Sequence, residues 1–301
     1  MSKLIKETLK ADKDFCQKIK KIIRKYKKFR NSKIYTCKYS NFNPEQLYIF
    51  FRGQNEYGWS LSPSINRPNK TDKRSENEIL NEYKNENNNL KTNELIASAQ
   101  HSGALTRSID FTSDLKVALF FSCFNLKENK INDKDSALFV CLYSPHKINW
   151  ISSTAINLIS LMNEKELTNK ELASLLLKNE EFVKLKRNRH NNEIDETCSD
   201  IASWLNHGFM VVYNNKFEEK NMRLKKQKGA LFYCGCNFYN DNKLCKKVST
   251  FSSITPNYKI KLHEIRNPKR LKKYCIKIKI PKRLNEKIYK EIEITKETLG
   301  L

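Results

Sequence analysis

Four short apolar runs limit what this chain can fold into. Residues 47–51 (LYIFF), 137–143 (ALFVCLY), 229–233 (GALFY) and 274–280 (YCIKIKI) are rich in β-branched and aromatic side chains, so each reads as a strand. In the last of them apolar and basic residues alternate with period two, which leaves one face solvated. Residues 210–213 are a further strand candidate. Helical patterns lie between the runs. Residues 75–86 and 94–100 read as helices, and residues 146–210 as a mainly helical insertion with a capping box at Thr168 and Glu171. Residues 284–292 form a short last helix. Strands interrupted by helices place the chain in the α+β class.

The N-terminal stretch spaces Leu4, Ile5, Thr8, Leu9, Phe15, Ile19, Ile22, Ile23, Tyr26 and Phe29 as one helix face. Lys20, Lys21, Arg24, Lys25, Lys27 and Lys28 fill much of the other. A basic amphipathic helix is the expectation, packed on its own domain with its polar face open to a nucleic-acid backbone. The charge is uneven. The net is +24 over 301 residues, with +11 in residues 1–40, −1 in 41–125, +5 in 126–258 and +9 in 259–301. Clustered positive charge attracts polyanions because each neutralised phosphate releases counterions. DNA or RNA bound through the basic terminal regions is the expected partner. The excess is mostly Lys, in a chain also rich in Asn and Ile, and Lys suits bidentate recognition less than Arg does.

Other classes find no support. No apolar run approaches the roughly 18 residues of a membrane span, and residues 1–15 are charged where a signal peptide is apolar. A cytoplasmic protein without membrane attachment is expected. Nine scattered cysteines with no CxxC pair argue for reduced thiols packed as small apolar residues, with no metal site. Walker, GxGxxG, HExxH and GxSxG patterns are all missing from the sequence.

Three segments carry chemical content. The first is Phe51-Arg52-Gly53-Gln54, where an arginine directly after a strand and beside a glycine can fork onto an anion. The second runs from Gln100 to Ser113 and gathers His101, Thr106, Arg107, Asp110 and Thr112 just before a helix that is apolar all round at residues 117–121. Asp110 could pair with Arg107 or orient His101 as a general base. Equally, Asp110 and Thr112 could serve as helix caps, and Thr112-Ser113-Asp114 supplies an N-cap and a negative first turn. The third is Arg223, Gln227 and Gly229 ahead of the strand at 229–233, a position that on its own reads as an ordinary turn.

Taken together and in order, these segments resemble the FRG domain, named for its Phe-Arg-Gly signature, here Phe51-Arg52-Gly53. Leu61-Ser62-Pro63-Ser64 with Arg67, the acidic helix bearing Glu76 and Glu82, Gln100-His101-Ser102-Gly103, Asp110-Phe111-Thr112 and Gln227-Lys228-Gly229 resemble its further motifs. Ala104, Leu105 and Ser108-Ile109 depart from the family pattern. The order of features is similar in turn to ADP-ribosyltransferases of the Arg-Ser-Glu type. That resemblance implies an ADP-ribosyltransferase-like mixed β-sheet core with flanking helices and a helical insertion. Its segments would be a basic helical region (1–40), the first part of the core (41–145), the insertion (146–210) and the second part of the core (211–301).

The same resemblance implies NAD as cofactor and a toxin or anti-phage effector that modifies a macromolecule, nucleic acid favoured, with an antitoxin as a possible partner. Arg52, His101, Asp110 and Gln227 would be catalytic. Arg52, Gly53, Gln54, Thr106, Arg107, Thr112 and Ser113 would bind the cofactor. Gln227 stands where those enzymes carry a glutamate, and an amide cannot act as a general base. A non-catalytic nucleic-acid-binding module and a metal-independent nuclease are the alternatives.

Overall fold

The computed structural model describes residues 5–10, 13–34, 48–67, 74–87, 89–143, 150–162, 166–186, 194–212, 221–245, 258–266, 268, 271 and 275–301. The chain opens with a strand, β1 (Ile5–Thr8), followed by α1 (Phe15–Ile34) and β2 (Tyr48–Gln54). Two helices, α2 (Glu76–Glu86) and α3 (Thr92–His101), lead to β3 (Ser108–Thr112) and α4 (Leu115–Cys123). A small hairpin of β4 (Phe124–Asn125) and β5 (Lys130–Ile131) precedes β6 (Ser136–Tyr143). Then come α5 (Trp150–Leu161), β7 (Glu166–Thr168), α6 (Asn169–Leu177), α7 (Glu180–Lys186) and α8 (Ile194–His207). The last third holds β8 (Phe209–Val212), α9 (Met222–Lys226), β9 (Gly229–Tyr233), β10 (Cys236–Asn240), β11 (Lys243–Leu244), β12 (Lys259–Ile265), β13 (Cys275–Ile280) and α10 (Lys282–Ile292).

The main sheet has seven strands in the order β1-β13-β6-β2-β3-β9-β8. β1 pairs parallel to β13 and the other pairs are antiparallel, so the sheet is mixed and the fold is α+β. All eight residues of β6 are buried, because both faces of this central strand are covered. Its side chains divide with period two. Leu138, Val140 and Leu142 pack with Phe51, Ile276 and Ile278 beneath α1, α4 and α10. Phe139, Cys141 and Tyr143 join Phe50, Phe111 and Phe232 in a separate cluster. At the far end of the sheet Leu231 and Tyr233 of β9 and Val211 of β8 pack with α3, α5, α6 and α8. The predominantly helical segment therefore shares one core with the sheet. Full burial of each large side chain contributes roughly 1.5–3 kcal/mol.

Local rules account for much of this. Ser75 and Thr168 form reciprocal capping boxes with Glu78 and Glu171, and Asp114 caps α4 by accepting from the Lys116 amide. Three elements depart from the sequence expectation. Residues 5–8 are a strand, not the start of the N-terminal helix, because β13 offers them a parallel ladder. β2 continues through Arg52, Gly53 and Gln54, so the arginine lies within the strand rather than after it. A second sheet, ordered β11-β10-β12-β7, takes residues 166–168 out of the helical segment. Residues 4, 47, 146–149, 163–165, 187–193, 213 and 274 of the sequence-predicted elements lie outside the described residues.

Candidate functional site

The site originates in a defect of the main sheet. β2 and β3 are paired at Phe51 and Thr112. Beyond that point Arg52, Gly53 and Gln54 stay with Phe139, Leu138 and Ala137 of β6, while Asp110, Ile109 and Ser108 stay with Leu231, Phe232 and Tyr233 of β9. The two central strands thus part, and a cleft of about 210 Å³ opens along the gap. Gly53 is required on one wall. A Cβ there would lie 2.0 Å from the carbonyl oxygen of Ala118 and 2.6 Å from the amide of Ser122, so only glycine lets α4 pack against β2.

Arg52 bridges the gap. Its Nη1 donates to the main-chain oxygen of Asp110 at 2.7 Å and lies 3.6 Å from Oδ2 of the same residue. Burial pushes the Arg52 guanidinium below its ordinary value; Asp110 opposes the shift and Arg67 adds to it. The Asp110 side chain is 45% exposed, so its carboxylate is open to a ligand. Gln100 orients that carboxylate, donating from Nε2 to Oδ2 at 2.9 Å. The opposite end of the Gln100 amide accepts from the hydroxyls of Thr106 and Ser108, which fixes the orientation of the amide.

His101 lies beside them. Its carbonyl oxygen accepts from Nη1 of Arg223 at 2.8 Å. Burial holds its imidazole below the ordinary 6.5, against the attraction of Asp110 and with the help of Arg223. Arg67 and the half-exposed Trp59 stand at the mouth of the cleft. Three arginines and a histidine therefore surround one carboxylate, a balance suited to an anionic ligand.

Unsatisfied polar atoms mark the same place. Five buried side-chain nitrogen or oxygen atoms among the described residues have no hydrogen-bond partner, and four of them belong to cleft residues: Arg52 Nε, Gln54 Oε1, His101 Nε2 and Arg223 Nε. Buried polar groups are otherwise nearly always paired, so this cluster offers unused hydrogen-bonding capacity to a ligand or to water.

The structure brings together Arg52, Gly53, Gln54, His101, Asp110, Thr112 and Gln227 of the sequence-predicted site. Two of them have internal duties. Thr112 Oγ1 donates to the carbonyl oxygen of Gln227 at 2.6 Å, and Gln227 Nε2 donates to that of Leu299 at 3.3 Å. Gln227 thus latches the C-terminal turn to the start of β9, and the carboxylate of the cleft is that of Asp110.

Three residues fall elsewhere. Arg107 is buried against Glu76, with Nε on Oε2 at 2.5 Å, and does not pair with Asp110. Burial would lower its pKa, but Glu76 and Cys236 outweigh that and raise it. Thr106 is fully buried behind Gln100. Ser113 faces a neighbouring groove, its hydroxyl 3.5 Å from the carbonyl oxygen of Lys228. Sequence reasoning gave no site role to Arg67, Gln100 or Arg223. Gln100 lies within the dense second segment, Arg67 follows the Leu61–Ser64 motif and Arg223 opens the third segment, but none of these positions shows locally that its side chain reaches the cleft. Among the described residues no three His, Cys, Asp or Glu side chains gather to hold a metal ion, and no helix is long and apolar enough to cross a membrane.

An α+β fold whose mixed sheet parts over an arginine-lined cleft defines the architectural class. Residues 48–131 match the family model of the FRG domain, a stretch that takes in β2, the cleft arginine, Asp110 and α4. No curated protein and no solved structure matches the chain.

Proposed function

We propose that the cleft binds NAD and that the protein transfers ADP-ribose to a macromolecule. The observation that supports this reading best is the pairing of Arg52 with Asp110 amid unsatisfied buried donors. Transfer needs a cation for the pyrophosphate and a carboxylate for the sugar, because breaking the ribose–nicotinamide bond leaves developing positive charge on the ribose. Arg52 would hold the phosphates with Arg67 and Arg223 at its sides. Asp110, oriented by Gln100, would face the ribose. A volume of about 210 Å³ suits only part of a dinucleotide, so the nicotinamide end would enter the gap and the adenosine would lie outward. There the half-exposed indole of Trp59 offers a stacking surface.

His101 lines the same cleft, and burial favours its neutral form, which can accept a proton from an incoming nucleophile. Nucleic acid is the favoured acceptor on charge, and a toxin or anti-phage role follows from the family resemblance. The test is nicotinamide release from NAD by purified protein, with labelled NAD to follow transfer onto added DNA, RNA or cell extract. Arg52→Ala should abolish both signals. Full activity in that variant would remove the cleft from the reaction.

A further inference from the structure

We infer that α1 and the first turn of α4 form a track for single-stranded nucleic acid beside the cleft. Between Phe15 and Ile34, α1 carries nine Lys or Arg side chains and no acidic one. Pairs such as Lys20 with Arg24 and Lys21 with Lys25 stand four residues apart, a spacing at which like charges repel on a helix. Lys20, Lys21, Arg24 and Lys25 are exposed, and none pairs with a carboxylate among the described residues. The carboxylates beside α1 are engaged elsewhere, Glu7 by the Tyr26 hydroxyl, Glu291 by the Phe15 and Cys16 amides and Asp114 by Lys228, so an external polyanion is the natural complement of the exposed cations.

The relief is concave. A groove of about 550 Å³ runs between α1 and the start of α4, with Lys20, Arg24 and Lys116 on its walls and Ile49 and Leu115 among its apolar residues. A second groove of about 580 Å³, on the other flank of α1, carries Lys6, Lys18 and Lys21. Basic walls over an apolar floor suit a flexible strand whose bases turn inward and whose phosphates face the lysines. A membrane surface fits poorly. Phe15, Ile19, Ile23 and Tyr26 are buried in the protein's own core, which leaves the described side chains of α1 no apolar face to insert.

Position adds to the argument. Phe51 borders both the first groove and the cleft, and Ser113–Lys116 of the groove run directly into Val117 and Ala118 of the cleft. A strand in the groove would pass the cleft beside the first turn of α4. Its role as acceptor rests on the proposed transfer reaction, but its binding does not.

The test is fluorescence anisotropy of the full chain with a labelled mixed-sequence single-stranded oligonucleotide, without NAD. The triple variant Lys20→Ala, Arg24→Ala and Lys116→Ala is compared with Lys178→Ala, Lys184→Ala and Lys243→Ala, which removes the same net charge from exposed sites elsewhere. Each phosphate contact adds about 0.7 to the salt slope for a single strand, so three lost contacts should lower the slope by about 2 and weaken binding at 0.1 M salt by about a hundredfold. The second variant should bind as the parent does. Equal weakening of both would reduce the effect to net charge and overturn the track. So would equal competition by polyglutamate, or binding to phosphatidylserine vesicles in place of the oligonucleotide. Nicotinamide release, measured separately, reports on the cleft whatever the oligonucleotide does.

Discussion

Arg52 and Asp110 meet across a gap in the sheet: the arginine occupies the main-chain oxygen of the aspartate, 2.7 Å away, and approaches its carboxylate at 3.6 Å. One side chain therefore replaces a missing ladder bond and holds the only carboxylate among the described residues of the cleft. Both contacts come from Nη1, and the planar guanidinium holds Nε, buried and without a partner, in fixed geometry beside it, which an ammonium cannot reproduce. Arg52→Lys should consequently behave as Arg52→Ala does, with nicotinamide release from NAD down at least about a hundredfold, the size of effect seen when a single preorganised charge contact is lost. Asp110→Asn keeps an acceptor for Gln100 and loses the charge. It should retain NAD binding by calorimetry and lose release to a similar degree. Turnover by Asp110→Asn at the parental rate would exclude the carboxylate from the chemistry.

Gly53 stands next to that arginine, and its role is steric. An added methyl group would overlap the carbonyl oxygen of Ala118 and the amide of Ser122, both on α4. Backbone atoms in a buried helix cannot yield as a flexible side-chain end can. Gly53→Ala should therefore cost about 1–3 kcal/mol or more, as overpacking does, in urea unfolding followed by circular dichroism. An unchanged midpoint would show that α4 can retreat from β2.

How far the sequence reveals this site follows from where its residues lie on the chain. Arg52, Gln54, His101, Asp110 and Thr112 sit in two short segments whose chemistry is visible locally, and the fold gathers them because β2 and β3 are neighbours. Arg107 and Thr106 belong to the same dense segment and look equally functional. Glu76, 31 residues earlier, takes Arg107, and Gln100 and Ser108 take Thr106. A linear motif does not show which neighbour claims a side chain. Arg67 and Arg223 reach the cleft from a loop and a five-residue helix, and the motifs they stand in do not show that they converge on Arg52 and Asp110. β1, β7 and β11 were illegible for a different reason. They are two to four residues long and largely polar, and only their ladder partners make them strands.

The Arg107–Glu76 pair gives a contrasting expectation, because it is buried outside the cleft. Both side chains are nearly inaccessible, and Glu76 also accepts from the main-chain amide of Arg107. Removing one partner leaves an uncompensated buried charge, a loss of about 3–5 kcal/mol. Glu76→Ala should lower thermal stability sharply. At a temperature where the variant is still folded, NAD affinity should match the parent. A selective loss of NAD affinity without a stability change would instead place Arg107 in ligand binding.

His101 links the cleft to pH. Burial, aided by Arg223 and opposed by Asp110, keeps the folded imidazole from protonating at its ordinary 6.5. The unfolded chain protonates there. As pH falls through 6.5 the unfolded state therefore binds more protons than the folded state, and stability declines until the folded imidazole also protonates. His101→Gln removes that linkage while keeping a polar side chain. The stability difference between parent and variant should be flat above about pH 7.5, where both forms of the histidine are neutral. It should shift against the parent as pH drops from 6.5 towards 5, measured by urea unfolding at each pH. A difference that stays constant across that window would mean that the imidazole reaches water in the folded protein and titrates normally. His101 could then take no proton-accepting role that depends on its burial.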